Sequence, residues 1–332
     1  MPEADTICGY KLSDVRKSLR EAIDYRNRRA AHRWAAELVA TPGAVGSLWA
    51  AYWLTWAITQ GTPTIPILLR QTWFSVSDAA HQLHDWKAFR NEPEVRKCVT
   101  EMTTILLDQP RQTNVVWPTK DMTLHDVGNM RNSILPVASD SPPVMETWDR
   151  IHDSLEARMM AGRFLAAIET GDLRTALSAV SWTFLPTTTL KYAERGPPSL
   201  PAKARASPLW FWLEVGGRFL KGRQGHRGWT TMHMAIVEAF KDHYKRWTNA
   251  ERLRLMLAWI LQIRAALVPQ PQDIWTAHPV TLQDAELDLP YKEIAAELAN
   301  PNNAITKKQP SLTKMEQGDA AIRAVLGITE DD

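Results

Sequence analysis

Val45-Gly46-Ser47-Leu48-Trp49-Ala50-Ala51-Tyr52-Trp53-Leu54-Thr55-Trp56-Ala57-Ile58 is the stretch on which the fold turns. No Asp, Glu, Lys or Arg falls between Glu37 and Arg70, and Trp49, Tyr52, Trp53 and Trp56 lie inside the run. A membrane-spanning helix needs roughly 20 mainly apolar residues. This run is shorter, and Gln60, Gly61, Thr62, Pro63 and Pro66 follow it, a composition that stops a helix. It reads as a helix buried on all sides in a globular core, and no membrane span is expected.

Helical periodicity extends on both sides. Upstream, Leu19, Ile23, Ala31, Trp34 and Leu38 fall on neighbouring helical faces. Ser13-Asp14 suits a helix start and Thr41-Pro42-Gly43 a stop. Further helices are predicted at 44–58, 66–84, 92–107, 147–170, 172–184, 207–221, 229–246 and 248–267. Strand-like alternation is scarce, and Pro186 to Leu190 is the nearest to it. Leu135 to Val144 and Arg195 to Pro208 are rich in proline and read as a linker and a loop. Beyond Pro269 the pattern breaks up, with short helices expected at 290–299 and 313–326. The fold class is all-α.

Two halves of the chain share an order of landmarks. Ala22-Ile23-Asp24, Arg29, Ala31 and Trp34 face Ala167-Ile168-Glu169, Arg174, Ala176 and Trp182. Ser47 to Leu54 faces Pro208-Leu209-Trp210-Phe211-Trp212-Leu213. Leu106 to Gln112 with Trp117 faces Leu267 to Gln272 with Trp275. A tandem duplication is therefore expected: unit 10–118, linker 119–146, unit 147–276, and a less regular extension 277–332 with short helices. The counterpart of the uncharged helix carries Glu214 and Arg218, a second argument for a core helix over a membrane span.

Composition bounds the function. The 332 residues are 45% hydrophobic and 23% charged, ordinary globular values. A formal charge of +2 does not mark the whole chain as a nucleic-acid binder. Two cysteines, Cys8 and Cys98, exclude a disulfide scaffold and a Cys-rich zinc module. Met1 to Gly9 lacks a basic patch followed by an apolar stretch, so secretion is not expected and a cytoplasmic or nuclear-type compartment is.

The pattern Gly9-Tyr10-Lys11, Val15, Ser18-Leu19, Ala22-Ile23, Ala30-Ala31, Trp34-Ala35, Leu38 and Leu48-Trp49 resembles the helical C-terminal region of the MgsA/WHIP (Werner helicase-interacting protein) AAA+ ATPases. The resemblance covers about 1–115, with a fainter echo at 155–275. It implies a clamp-loader-like collar that oligomerises, in a stand-alone form familiar from large DNA viruses and phages. The family's acidic stretch after this helix pair is replaced here by Trp56-Ala57-Ile58-Thr59-Gln60-Gly61. No G-x-x-x-x-G-K-[ST] loop occurs, so the resemblance implies a collar without its motor.

Chemistry-bearing motifs are few. There is no G-x-S-x-G and no H-E-x-x-H. His81 and His84, three apart, could share a metal from one helical face, but only Asp85 adds a local ligand, so a solvated helix edge is expected; His226, His233 and His243 form a loose set without a spaced pair. Glu214, between Leu213 and Val215, is expected to pair with Arg218 at i+4. No catalytic residue, cofactor, metal or small-molecule substrate is expected. The basic clusters are the better lead. Arg26, Arg28 and Arg29 crowd one turn, while Lys221, Arg223 and Arg227 with Trp229 form an acid-free loop suited to a phosphate backbone and base stacking. Trp49, Trp53, Trp210 and Trp212 suit core packing or a protein interface. The leading expectation is a non-catalytic assembly or adaptor protein joined to DNA replication or DNA handling, with a protein partner or self-association; the alternative is direct nucleic-acid binding.

Overall fold

The computed structural model describes residues 5–59, 61–83, 85–110, 141–183, 190–222, 227–268 and 284–299. Among these the chain is all-α. Its only β feature is an isolated antiparallel bridge between Asp5 and Lys11. Residues fall into two compact units, the first drawn from Met1–Ala51, Val76–Asp108 and Val280–Asp332, the second from Tyr52–Ser75 and Gln109–Pro279. This division differs from the expected tandem boundaries at 10–118 and 147–276: each unit gathers separate stretches of chain.

In the first unit, α1 (Leu12–Asp24) and α2 (Arg28–Ala40) form a tight pair. Val15, Leu19 and Ile23 line one face of α1 and are fully buried, as are Ala31 and Leu38 on α2. The turn between them is a Schellman motif. Asn27 N–H donates to Ala22 C=O and Arg26 N–H to Ile23 C=O, with Arg26 left-handed at φ 55°. Asn27 then caps α2, its side chain accepting from Ala30 N–H at 3.1 Å. α3 (Val45–Thr59) and α4 (Thr64–Gln82) each contribute residues to both units. The aromatics of α3 are at most 1% exposed, and no helix among the described residues is long and apolar enough to cross a membrane. α5 (Trp86–Asn91) and α6 (Pro93–Asp108) complete the first helical run.

Besides Tyr52–Ser75, the second unit contains α7 (Pro142–Thr147) and α8 (Leu155–Thr170). A single helix over 147–170 was expected, but the chain breaks between α7 and α8. Asp149 accepts from Ile151 N–H at 2.8 Å, and Asp153 accepts from Asp149 N–H at 2.7 Å and Ala193 N–H at 2.7 Å. Such side-chain bonds offer the backbone an alternative to helix. α8 ends at Gly171, whose φ of 83° gives a left-handed cap, and α9 (Leu173–Thr183) follows. α10 (Ala202–Arg205), α11 (Pro208–Lys221), α12 (Arg227–His243) and α13 (Asn249–Ala265) finish the unit. Pro208 opens α11 at a position where its missing N–H costs nothing. A full Thr248–Glu251 capping box opens α13.

The second core is aromatic. Phe164 stacks on Trp259 at 6.2 Å and meets the edge of Trp212 at 5.2 Å. Both indoles find acceptors, Trp212 in Thr183 Oγ1 and Trp259 in His233 Nδ1, each at 3.0 Å. Gly216 on α11 permits this packing, because a Cβ there would lie 2.2 Å from Trp259.

α14 (Asp284–Ala299) belongs to the first unit; it covers the short helix expected at 290–299 and starts six residues earlier. A short helix was expected to begin at Pro290, a favoured first position; instead Pro290 lies inside α14. Tyr291 and Ile294 are buried. Arg96 lies 4.2 Å over the Tyr291 ring, Glu293 pairs with Arg29 at 2.8 Å and Glu297 with Arg33 at 2.6 Å. These contacts hold a helix that proline alone would end.

Candidate docking groove

Three helices of the second unit each turn one stripe toward a common groove of 1060 Å³. α8 contributes Gly162, Leu165, Ala166 and Glu169. α11 contributes Trp210, Leu213, Glu214, Gly217, Arg218 and Lys221. α12 contributes Thr230, His233, Met234, Val237 and Lys241. Within each helix the residues recur at three- and four-residue steps, so each set is one helical face. Pro142, Pro143 and Glu146 of α7 add a fourth side. The floor is apolar, and Met234 is 41% exposed there, large for such a side chain.

α11 and α12 run antiparallel along the groove. Trp210 stacks on Tyr244 at 5.8 Å, just past the end of α12, while Gly217 lies against His233 near its start. Lys241 therefore marks one end and Lys221 the other. His233 is buried, and burial pushes its pKa down to about 4, so it is neutral near pH 7. An indole N–H only donates. Since Trp259 donates to Nδ1, the His233 proton sits on Nε2. That N–H has no hydrogen-bond partner among the described residues and faces Gly217, which has no side chain to cover it.

Charges along one side form a ladder. Asp153, fully buried, binds the Arg195 guanidinium, with Nη1 donating to Oδ1 at 2.8 Å. Arg195 reaches Glu214 at 3.2 Å, Glu214 accepts from Arg218 at 2.9 Å, and Arg218 pairs with Glu146 at 2.8 Å. Burial works against the charge on Arg195, and the hydrogen-bonded Asp153 carboxylate more than offsets it, raising its pKa. Glu214 thus pairs with Arg218 as expected and with Arg195 besides.

The basic residues singled out from the sequence do not converge. Arg28 pairs with Asp108 at 2.7 Å and Arg29 with Glu293 at 2.8 Å, so the α2 cluster is closed by acids. Arg26 is exposed on its turn. Lys221 and Arg227 are exposed and make no ion pair among the described residues. Trp229 is 5% exposed, which corrects its expected role as a stacking platform: its ring is inside the protein. Trp49, Trp53, Trp210 and Trp212 are likewise buried, at most 5% exposed, and serve the core in place of an open interface. His233 and His243 are buried, and among the described residues no group of three or more His, Cys, Asp and Glu is placed to hold a metal ion. His84, Arg223, His226, Trp117, Trp275, the 186–189 stretch and the helix expected at 313–326 lie outside the described residues.

The groove itself escaped the sequence reading, as did Asp153 and Arg195. One signal was present. Gly216-Gly217 inside an apolar helix costs helical stability, and the structure shows its return as close approach of Trp259 and His233. No family model, curated protein or solved structure matches the chain.

Proposed function

We propose that the chain is a non-catalytic helical adaptor whose working surface is the groove of the second unit. The observation that carries this reading is the convergence of three helical stripes on an open, apolar-floored groove. Helix-in-groove recognition uses this arrangement, with anchors at three- and four-residue steps. The resemblance of Gly9-Tyr10-Lys11 through Leu48-Trp49 to a clamp-loader collar supports a partner in an assembly that handles DNA, either another protein or a second copy.

The test is site-specific crosslinking. A photo-crosslinker on Met234→Cys, in a Cys98→Ser background, is expected to capture one discrete protein chain or a second copy. The same probe on Lys17→Cys, an exposed position of α1, is expected to capture neither. No capture at 234, or equal capture at both positions, overturns the reading.

The exposed pair Lys221 and Arg227 favours a second reading, direct nucleic-acid binding. Fluorescent single-stranded and duplex DNA and RNA, titrated with salt, decide it. Affinity that falls steeply with salt and is lost in Lys221→Glu, Arg227→Glu supports it; no binding at low salt removes it.

A further inference from the structure

We propose that the groove takes an acidic amphipathic helix of about three turns, whose carboxylates engage the α11–α12 edge. The inference rests on the adaptor reading and adds the partner's chemistry.

Length comes first. The α12 stripe runs from Thr230 to Lys241, eleven residues on, which spans about 16 Å at the helical rise. An occupant lying along it presents one face over the same three turns, so groups at i and i+11 project together. An apolar floor asks for apolar side chains between them, and Met234, a flexible thioether, adapts to their shape.

Charge supplies the ends. Four cations line the groove: Arg195, Arg218, Lys221 and Lys241. Arg195 and Arg218 are bound by Asp153, Glu214 and Glu146. Lys221 makes no ion pair among the described residues, and Lys241 has only an exposed pair with Glu238 on its own helix, the kind that exchanges readily. These two lysines mark opposite ends of the α11–α12 edge. The remaining lining carboxylate, Glu169, sits on α8. The groove is therefore sided, with cations available along α11 and α12. Between the lysines, the His233 Nε2–H lines the groove beside Gly217, and it suits an acceptor on the same face of the occupant.

The experiment uses the full chain and fluorescein-labelled helical peptides of one design, with leucines at i+4, i+7 and i+8. The residues at i and i+11 are Glu in one peptide, Gln in a second and Lys in a third. Fluorescence anisotropy is expected to show the Glu peptide binding at least tenfold tighter than the Lys peptide, with Gln between them. The order is expected to reverse in Lys221→Glu, Lys241→Glu, both exposed changes that leave the thermal unfolding curve in place. Equal binding of the three peptides, a preference for Lys, or an order unchanged by the double substitution overturns the proposal. Failure of all three peptides to bind also overturns it. The Met234 crosslink separates the two readings: a partner captured there with no acidic preference removes only this inference, and no capture removes the adaptor reading beneath it.

Discussion

On α2, Arg28 meets Asp108, Arg29 meets Glu293, and Arg33 is held between Glu37 and Glu297. At the end of α11 and the start of α12, Lys221 and Arg227 stand exposed with no ion pair among the described residues. In the sequence the two regions look alike, as basic runs with aromatics nearby. The difference lies mostly in distant partners: Asp108 is 80 residues from Arg28, and Glu293 and Glu297 are each 264 residues from the arginine they bind. Charge density along a sequence therefore says little about charge on a surface until the chain closes. The comparison also separates two uses of ion pairs. Those around Arg33 and Arg195 hold buried elements together, while at the groove edge Lys221 makes no ion pair among the described residues and Lys241 pairs only within its own helix, with Glu238.

The largest expected effect tests that separation. Asp153 is fully buried against Arg195, so Asp153→Asn removes the buried countercharge of the guanidinium and leaves it only the more exposed Glu214. Breaking a buried pair from one side costs about 3–5 kcal/mol. Urea unfolding should show the loss, while Lys221→Ala should leave the midpoint where it was. A small change in Asp153→Asn would place the ladder with the groove-edge lysines and erase the distinction.

A second effect is pH dependence. Burial pushes His233 down to about 4, and burial with the nearby Arg246 charge pushes His243 down to about 3. In the unfolded chain both titrate near about 6.5. Between those values the unfolded state binds more protons, so stability rises with pH. It is therefore full above about pH 6.5 and is lost as pH falls toward 4 and then 3, by up to about 1.4 kcal/mol per pH unit for each histidine. Neither His243 nitrogen has a hydrogen-bond partner among the described residues, and the ring lies between Trp73 and Trp247. His243→Leu is expected to remove its share of the slope in urea melts across pH 4 to 6.5. An unchanged slope would show that carboxylates alone set the acid limit.

Next is Gly216. A Cβ there would lie 2.2 Å from Trp259 and 2.8 Å from Ile263, both in a packed core. Gly216→Ala gains helix propensity but forces these side chains apart, with a net loss of about 1–3 kcal/mol. A stabilised variant would mean that α11 and α13 separate at little cost.

How much could be read beforehand follows from the range of the forces involved. α3 and α11 were legible to within a residue, because apolar runs, a proline at the start and a stop signal are local. The break at Trp148–Ser154 was not, because Asp153 is set by Ala193 N–H and Arg195, 40 and 42 residues on. The start of α14 was missed because Pro290 reads as a helix opening. The pairing of Glu214 with Arg218 was legible as a one-turn contact; the groove was not, since its three stripes come from helices that only the fold brings together. Trp229 showed the cost of reading a side chain by type: next to basic residues it looked like a platform, and it is a core residue.

The smallest effect is the most direct attack on the comparison. Arg29 is 81% exposed on its side of the Glu293 pair, so the double-mutant coupling between them is expected at about 0.2–1 kcal/mol in thermal or urea melts. The stability readout alone would not discriminate, since many surface pairs contribute that little. Nucleic-acid binding does. If the α2 arginines are closed by their acids, Arg29→Ala leaves DNA and RNA affinity and its salt slope unchanged, while Glu293→Ala, which frees Arg29, raises affinity slightly at low salt. If Arg29→Ala instead lowers affinity and flattens the salt slope by about one, Arg29 reaches phosphate despite Glu293. The two clusters would then share one role, and exposure of the guanidinium, more than the presence of a paired acid, would decide which charges are open.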